Sequence, residues 1–228
     1  MQIGMRSLSR RAQWTVAAAI AAVLFAIWAA SANPQAPVSD EPVTTGPTLT
    51  VGIPTETFNF VASTQRSTNW CWAASIQMTL NYYGVAITQE EIVARTYGTD
   101  QYGNLPDFTG SIEQITANLN NTSIDDQGRT YVVSAYAAKG APAPALLVQE
   151  LSAGHPVVVA YANSSTPGHA VIATGAAYVQ SDQGPIVLSI IVRDPWPSEE
   201  NLAQGGRVEY SADQFAANML AYWLVRVQ

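Results

Sequence analysis

The chain has 228 residues, 48% of them hydrophobic and only 12% charged, which suits one globular domain with a substantial core. Ten basic against 17 acidic side chains give a net charge of −7. Lys139 is the sole lysine, so the clustered basic surface that a phosphate backbone requires is excluded.

Residues 1–32 read as a secretory signal peptide. Arg6, Arg10 and Arg11 form a positive n-region, Val16 to Ala30 is an unbroken apolar run, and Ala30-Ser31-Ala32 is a small-x-small cleavage site. The run is shorter than the roughly 20 residues that span a bilayer, so cleavage is expected, with export to the periplasm or the medium. A retained segment would instead tether the protein transiently to the membrane through residues 14–30. Residues 33–54 are rich in Pro, Thr and Ser and are expected to form an extended linker or short leading arm. The domain proper is expected over 55–228.

Helical signals come first. Trp72, Ile76, Leu80 and Tyr83 share one helical face and Gly84 follows as a stop. Thr88-x-x-Glu91 is a capping box that opens a second helix, with Gly98 closing it. Ser111-x-x-Gln114 opens a third, and Pro144 to Ala153 forms a fourth, stopped by Gly154. The period then changes. PVVVAYA (156–162), HAVIATGAAYV (169–179) and IVLSIIVRD (186–194) are β-rich runs divided by the turn sequences NSSTPG and SDQGP. RVEY and YWLVRV add two strands around a short helix capped by Ser211. The expected class is α+β, an N-terminal helical part packed on a C-terminal antiparallel sheet.

Cys71 is the only cysteine. An exported chain with one thiol forms no internal disulfide, which marks that thiol as reactive or intermolecular. With Asn69 as the expected N-cap, Cys71 falls in the first turn of its helix. There the unpaired N–H groups and the positive end of the helix dipole favour thiolate, the nucleophilic form. Position alone leaves a small buried core residue as the alternative.

A nucleophile needs a base, and only His155 and His169 are available. If 156–162 and 169–175 pair as a hairpin, the two histidines lie at opposite ends of it, roughly 20 Å apart at about 3.3 Å per residue. His155 follows a helix-ending glycine and precedes Pro156, so it reads as a structural residue at strand entry. His169 follows Gly168, which leaves space around the ring. Pairing about the SDQGP turn puts Asp194 opposite about Val171 or Ile172, close beside His169. There its carboxylate can accept from Nδ1 and stabilise an imidazolium. Gln65, six residues before the cysteine, offers an amide which, with the Cys71 N–H, can face a developing oxyanion. One cysteine and two separated histidines make no zinc-type cluster, and neither a metal nor another cofactor is expected.

Gln65, Cys71-Trp72 at a helix start, Gly168-His169-Ala170 and Asp194-Pro195-Trp196, in that order, resemble the papain-like cysteine peptidases. "NWCWAASIQMTLNYYG", "GHAVIATG" and "VRDPWP" are similar to the compact bacterial branch. That branch includes bacteriocin-leader-processing peptidases and a protease effector of plant-pathogenic bacteria. The likeness covers roughly residues 55 to 227. It implies Cys71 as nucleophile, His169 as general base and then acid, Asp194 as orienting residue and Gln65 as oxyanion donor. It also implies that Trp196 shields the third residue's hydrogen bond. Trp72 is expected to anchor the helix and Trp70 to wall the cleft. The third residue is aspartate, as in the bacterial branch, where plant papains have asparagine. The partner expected is a peptide or protein substrate, no nucleic acid is expected, and the protein is expected to be a monomer. Acyl transfer or deamidation by the same triad, and a silent peptide-binding module on this fold, are the competing readings.

Overall fold

The computed structural model describes residues 46–163 and 166–228; the expected signal peptide and the linker up to residue 45 lie outside them. Leu49–Gly52 forms strand β1 and Thr55–Asn59 a short helix, α1. The last part of the expected linker is therefore ordered. β1 pairs antiparallel with residues 175–178, and its backbone comes so close that a Cβ at Gly52, whose φ is +144°, would lie 2.4 Å from Thr174 O. Cross-strand hydrogen bonding supplies an order that the Pro- and Thr-rich composition does not suggest.

Three helices follow: α2 (Cys71–Tyr82), α3 (Gln89–Tyr97) and α4 (Ile112–Asn118). Both predicted capping boxes are present, Thr88 with Glu91 and Ser111 with Gln114. α2 is buried from Cys71 through Leu80, because it runs between β5 on one side and α3 and α4 on the other. A helix so enclosed needs small and apolar residues all round, and CWAASIQMTL provides them. Its N-cap position is held by Trp70, not by Asn69 as expected. The Asn69 N–H and side-chain amide are drawn off to Asp107 instead, donating to Oδ1 at 2.8 Å and to the carbonyl at 3.1 Å.

The next two strands, β2 (Asn121–Ile124) and β3 (Thr130–Lys139), come from a stretch without strong alternation in the sequence. After α5 (Pro144–Ser152) come β4 (Val157–Asn163), β5 (Thr166–Ser181) and β6 (Gly184–Arg193). Then follow α6 (Glu199–Leu202), β7 (Arg207–Ser211), α7 (Ala212–Asn218) and β8 (Met219–Val227). The sheet is antiparallel in the order β2-β3-β8-β4-β5-β6-β7, with β1 added on β5.

Central strand β4 is buried on both faces. Val158 and Ala160 join the core beneath α2, α3 and α4, whereas Val157, Val159 and Tyr161 face the core built with α5 and α7. This is why VVVAYA reads as a continuous apolar run rather than as an alternation. Two registers place the site. Tyr161 pairs with His169 across β4 and β5, and Ile172 pairs with Arg193 across β5 and β6, which leaves Asp194 level with Val171. Among the described residues no helix is long and apolar enough to cross a membrane.

Candidate active site

Cys71 is the first residue of α2 and is buried. The first amides of a helix have no partner within it, so the Cys71 N–H is free of the helix's own hydrogen bonding. The helix start is held from outside by residues 105–110. Trp70 Nε1 donates to Pro106 O and Trp72 Nε1 to Phe108 O, both at 3.0 Å, while Asp107 takes the Asn69 amide. Gly110 sits flat on the Trp72 indole, where a Cβ would lie 2.5 Å from Cδ2.

Trp72 is buried at the helix start, where an anchor is expected, but Trp70 is not at the cleft. Trp70 belongs to the core cluster and does not line the cleft. It does so because its ring follows the N–H to the Pro106 carbonyl, beneath the 105–110 segment. Trp72 is buried as well, edge-on to Tyr97, yet one of its faces forms a cleft wall.

His169 meets Asp194 as the hairpin register anticipates: Nε2 lies 2.7 Å from Oδ1, with the two side chains 12% and 11% exposed. The nitrogen differs from the expected Nδ1. Asp194 follows the end of the neighbouring strand, and the outer nitrogen of the ring spans the inter-strand gap of roughly 4.8 Å. Nδ1 is thereby left free of Asp194, and Cys71 lines the same basin as the imidazole. Burial pulls the His169 pKa down, but its hydrogen bond to Asp194, the proximity of Cys71 and the charges of both outweigh it and raise the value to about 9. The Asp194 carboxylate also accepts from the Trp196 N–H at 2.8 Å. Trp196 itself is 58% exposed. It is therefore not a core tryptophan, and it borders the cleft beside His169 and Asp194.

Gln65 lies in the same basin. Its Nε2 donates to Ser67 O at 2.9 Å and Thr68 O at 2.6 Å, while its buried Oε1 has no partner among the described residues. The flanking backbone is fixed by Gln89, a fully buried amide on α3 that sequence reasoning missed. Gln89 accepts from Arg66 N and donates to Thr64 O and to Gln77 Oε1. Burial was the signal of its importance, and a glutamine in a polar helical turn gives no hint of that in sequence. A second residue missed is Tyr161, whose ring stands edge-on to His169 at 5.7 Å between centroids.

His155 is at the other end of the hairpin, as expected. Its Nδ1 lies 3.2 Å from the buried carboxylate of Glu150, which also pairs with Arg226. Among the described residues no three His, Cys, Asp or Glu side chains cluster as a metal site would require.

The cleft has two basins on either side of the Cys71–His169 pair. One, of about 310 Å³, is lined by Trp72, Gly110, Ile112, Ile115, Ala160, Gly168, Ala170 and Leu220 together with Cys71 and His169. The other, of about 300 Å³, is more polar and is lined by Gln65, Thr68, Tyr161, His169, Asp194 and Trp196.

A cysteine at a helix start, an imidazole beside it and a cleft open on both sides define the class of a papain-like cysteine peptidase. Residues 57–226 match the model of the Peptidase_C39 like family, and the chain belongs to that family. Two solved structures resemble the chain. The peptidase domain of Streptococcus ComA, a bifunctional ABC transporter involved in quorum sensing, is 13% identical, with 72% of this chain and 95% of that chain covered at a TM-score of 0.44. A double glycine motif protease from an AMS/PCAT transporter, in complex with the leader peptide, is 15% identical, with 81% and 96% covered at a TM-score of 0.43. No curated protein sequence matches the chain.

Proposed function

We propose that this cysteine peptidase acts on peptides through Cys71, His169 and Asp194. The observation that carries the reading is His169, whose Nε2 lies 2.7 Å from Asp194 Oδ1, which lines one basin with Cys71 and whose pKa is raised to about 9. At neutral pH such an imidazole holds its proton and can pair with a thiolate. The thiolate attacks the scissile carbonyl carbon, and the C–O π electrons move to oxygen. The Cys71 N–H donates to that oxyanion. Gln65 contributes the second donor once a substrate oxygen replaces one of the loop carbonyls its amide now holds. His169 passes its proton to the departing amine and the C–N bond breaks, leaving a thioester. His169 then takes a proton from water, whose oxygen attacks the thioester, and the acid product and the thiolate are released. Asp194 keeps the imidazole oriented and stabilises its charged form.

The first 32 residues direct the chain out of the cytoplasm in this reading. An oxidising compartment would convert Cys71 to sulfenic acid, so activity there depends on reductant. The test is alkylation of the full chain by iodoacetamide, with reductant removed just before use and pH varied. Fast alkylation well below pH 8 that disappears in His169→Ala, with cleavage of a peptide library by the wild type alone, supports the proposal. Alkylation that rises only near the ordinary thiol pKa of about 8.5, and is indifferent to the substitution, refutes it.

A further inference from the structure

We infer that Arg193 is a positioning residue: its buried guanidinium grips the segments on either side of the Asp194 backbone and so holds the Asp194 carboxylate on His169. The inference rests on the triad reading above. Arg193 is the last residue of β6 and is 1% exposed. Successive side chains along a strand point to opposite faces. Arg193 accordingly turns toward α1 and Asp194 toward His169.

The guanidinium ties together pieces far apart in sequence. Nη1 donates to Asn59 Oδ1 at 2.7 Å, to Gln204 O at 2.6 Å and to Gly205 O at 3.3 Å. Nη2 donates to Thr55 O at 3.3 Å, and the cation stands 5.5 Å from the centre of the Phe58 ring. The 204–206 turn that it grips is also the turn against which Asp194 rests. Asp194 N–H donates to Gly206 O at 2.8 Å. The contact is so close that a Cβ at Gly206, where φ is +71°, would lie 2.2 Å from Asp194 O. On the other side, Gln65 N–H donates to Pro195 O at 2.8 Å. Arg193 thus fastens α1, the turn and the end of β6 into one support beneath the carboxylate.

Among the described residues no carboxylate lies within ion-pair distance of Arg193, and Nε has no partner. Its cross-strand neighbour is Arg207, a like charge. Burial, with the Arg207 charge adding to it and the Glu56 charge partly offsetting it, pushes the guanidinium down to about 10, so it stays charged at neutral pH. An apolar side chain in its place would leave the acceptors on Asn59, Gln204, Gly205 and Thr55 without this donor, at a cost in stability. What the apolar side chain lacks is the fork of donors that reaches several carbonyls at once.

The test follows the two histidine C–H resonances of the full chain by NMR as pH is varied, in wild type, Arg193→Met, Arg193→Lys and Asn59→Ala, with thermal unfolding in parallel. His155, on Glu150 at the far end of the hairpin, is the internal control. The expected result is that the His169 midpoint falls by about one unit in Arg193→Met, a tenfold loss of proton affinity. His155 stays in place, Arg193→Lys recovers part of the shift, and Asn59→Ala shows a smaller shift in the same direction. A merely structural role would lower the melting temperature and leave the His169 midpoint where it was, and that outcome overturns the inference. If Arg193→Met does not fold, unchanged His169 midpoints in Arg193→Lys and Asn59→Ala overturn it equally. A wild-type His169 that titrates near the ordinary value of about 6.5 would remove the triad reading, and this inference with it.

Discussion

Replacing Asp194 by asparagine keeps the shape of the side chain and removes its charge. The bond concerned is the 2.7 Å contact from His169 Nε2, between side chains that are 12% and 11% exposed. A hydrogen bond to a charged group contributes about 1.5–3 kcal/mol, and one pKa unit corresponds to about 1.4 kcal/mol. The substitution is therefore expected to lower His169 from about 9 by about one to two units, to between about 7 and 8. The sign for folding follows. A histidine whose native pKa lies above its unfolded one favours the native state, fully so below about 6.5. That contribution fades as pH rises through about 9. Urea unfolding of a Cys71→Ser background, which removes the part of the rise that Cys71 contributes, should show stability declining over a narrower window that opens at about 6.5 and closes below 9. The decline should be shallower once Asp194→Asn is added. The reasoning fails if the His169 midpoint of Asp194→Asn coincides with that of the wild type, because the carboxylate would then have no hold on the proton.

Three further outcomes are expected. Gly110→Ala places a methyl 2.5 Å from the Trp72 ring and should cost about 1–3 kcal/mol by overpacking, read as a lower urea midpoint; an unchanged midpoint would mean that the 105–110 segment yields freely. Ala160→Phe should fill the apolar basin beside Cys71. Labelling by a leucine-containing peptidyl chloromethyl ketone should then slow about tenfold or more while iodoacetamide labelling is unchanged, and equal labelling by the leucine probe would rule the basin out as a subsite. His155→Ala should leave the pH profile of Cys71 alkylation intact, because His155 is committed to Glu150; a changed profile would contradict the assignment of the base.

Local signals in the sequence determined much of this protein. The two capping boxes, the Gly84 and Gly98 stops and the hairpin about Asp182 and Gln183 all rest on neighbours within a few residues, and such features can be read one segment at a time. Two adjoining hairpins were enough to bring Asp194 to His169 and to send His155 away, since antiparallel register converts sequence spacing into distance. Other features were decided only by the tertiary structure. β1 exists because β5 offers it a free edge, and β2 and β3 because β8 pairs with β3. Trp70 and Trp72 are two residues apart, similar in chemistry and both buried in one core cluster with their indoles bonded to residues 105–110, so only the tertiary structure decides that Trp72 alone also lines the cleft. Gln89 and Arg193 look like ordinary surface types in the sequence. Their importance comes from burial among carbonyls contributed by distant segments, and a linear pattern does not record which carbonyls those will be.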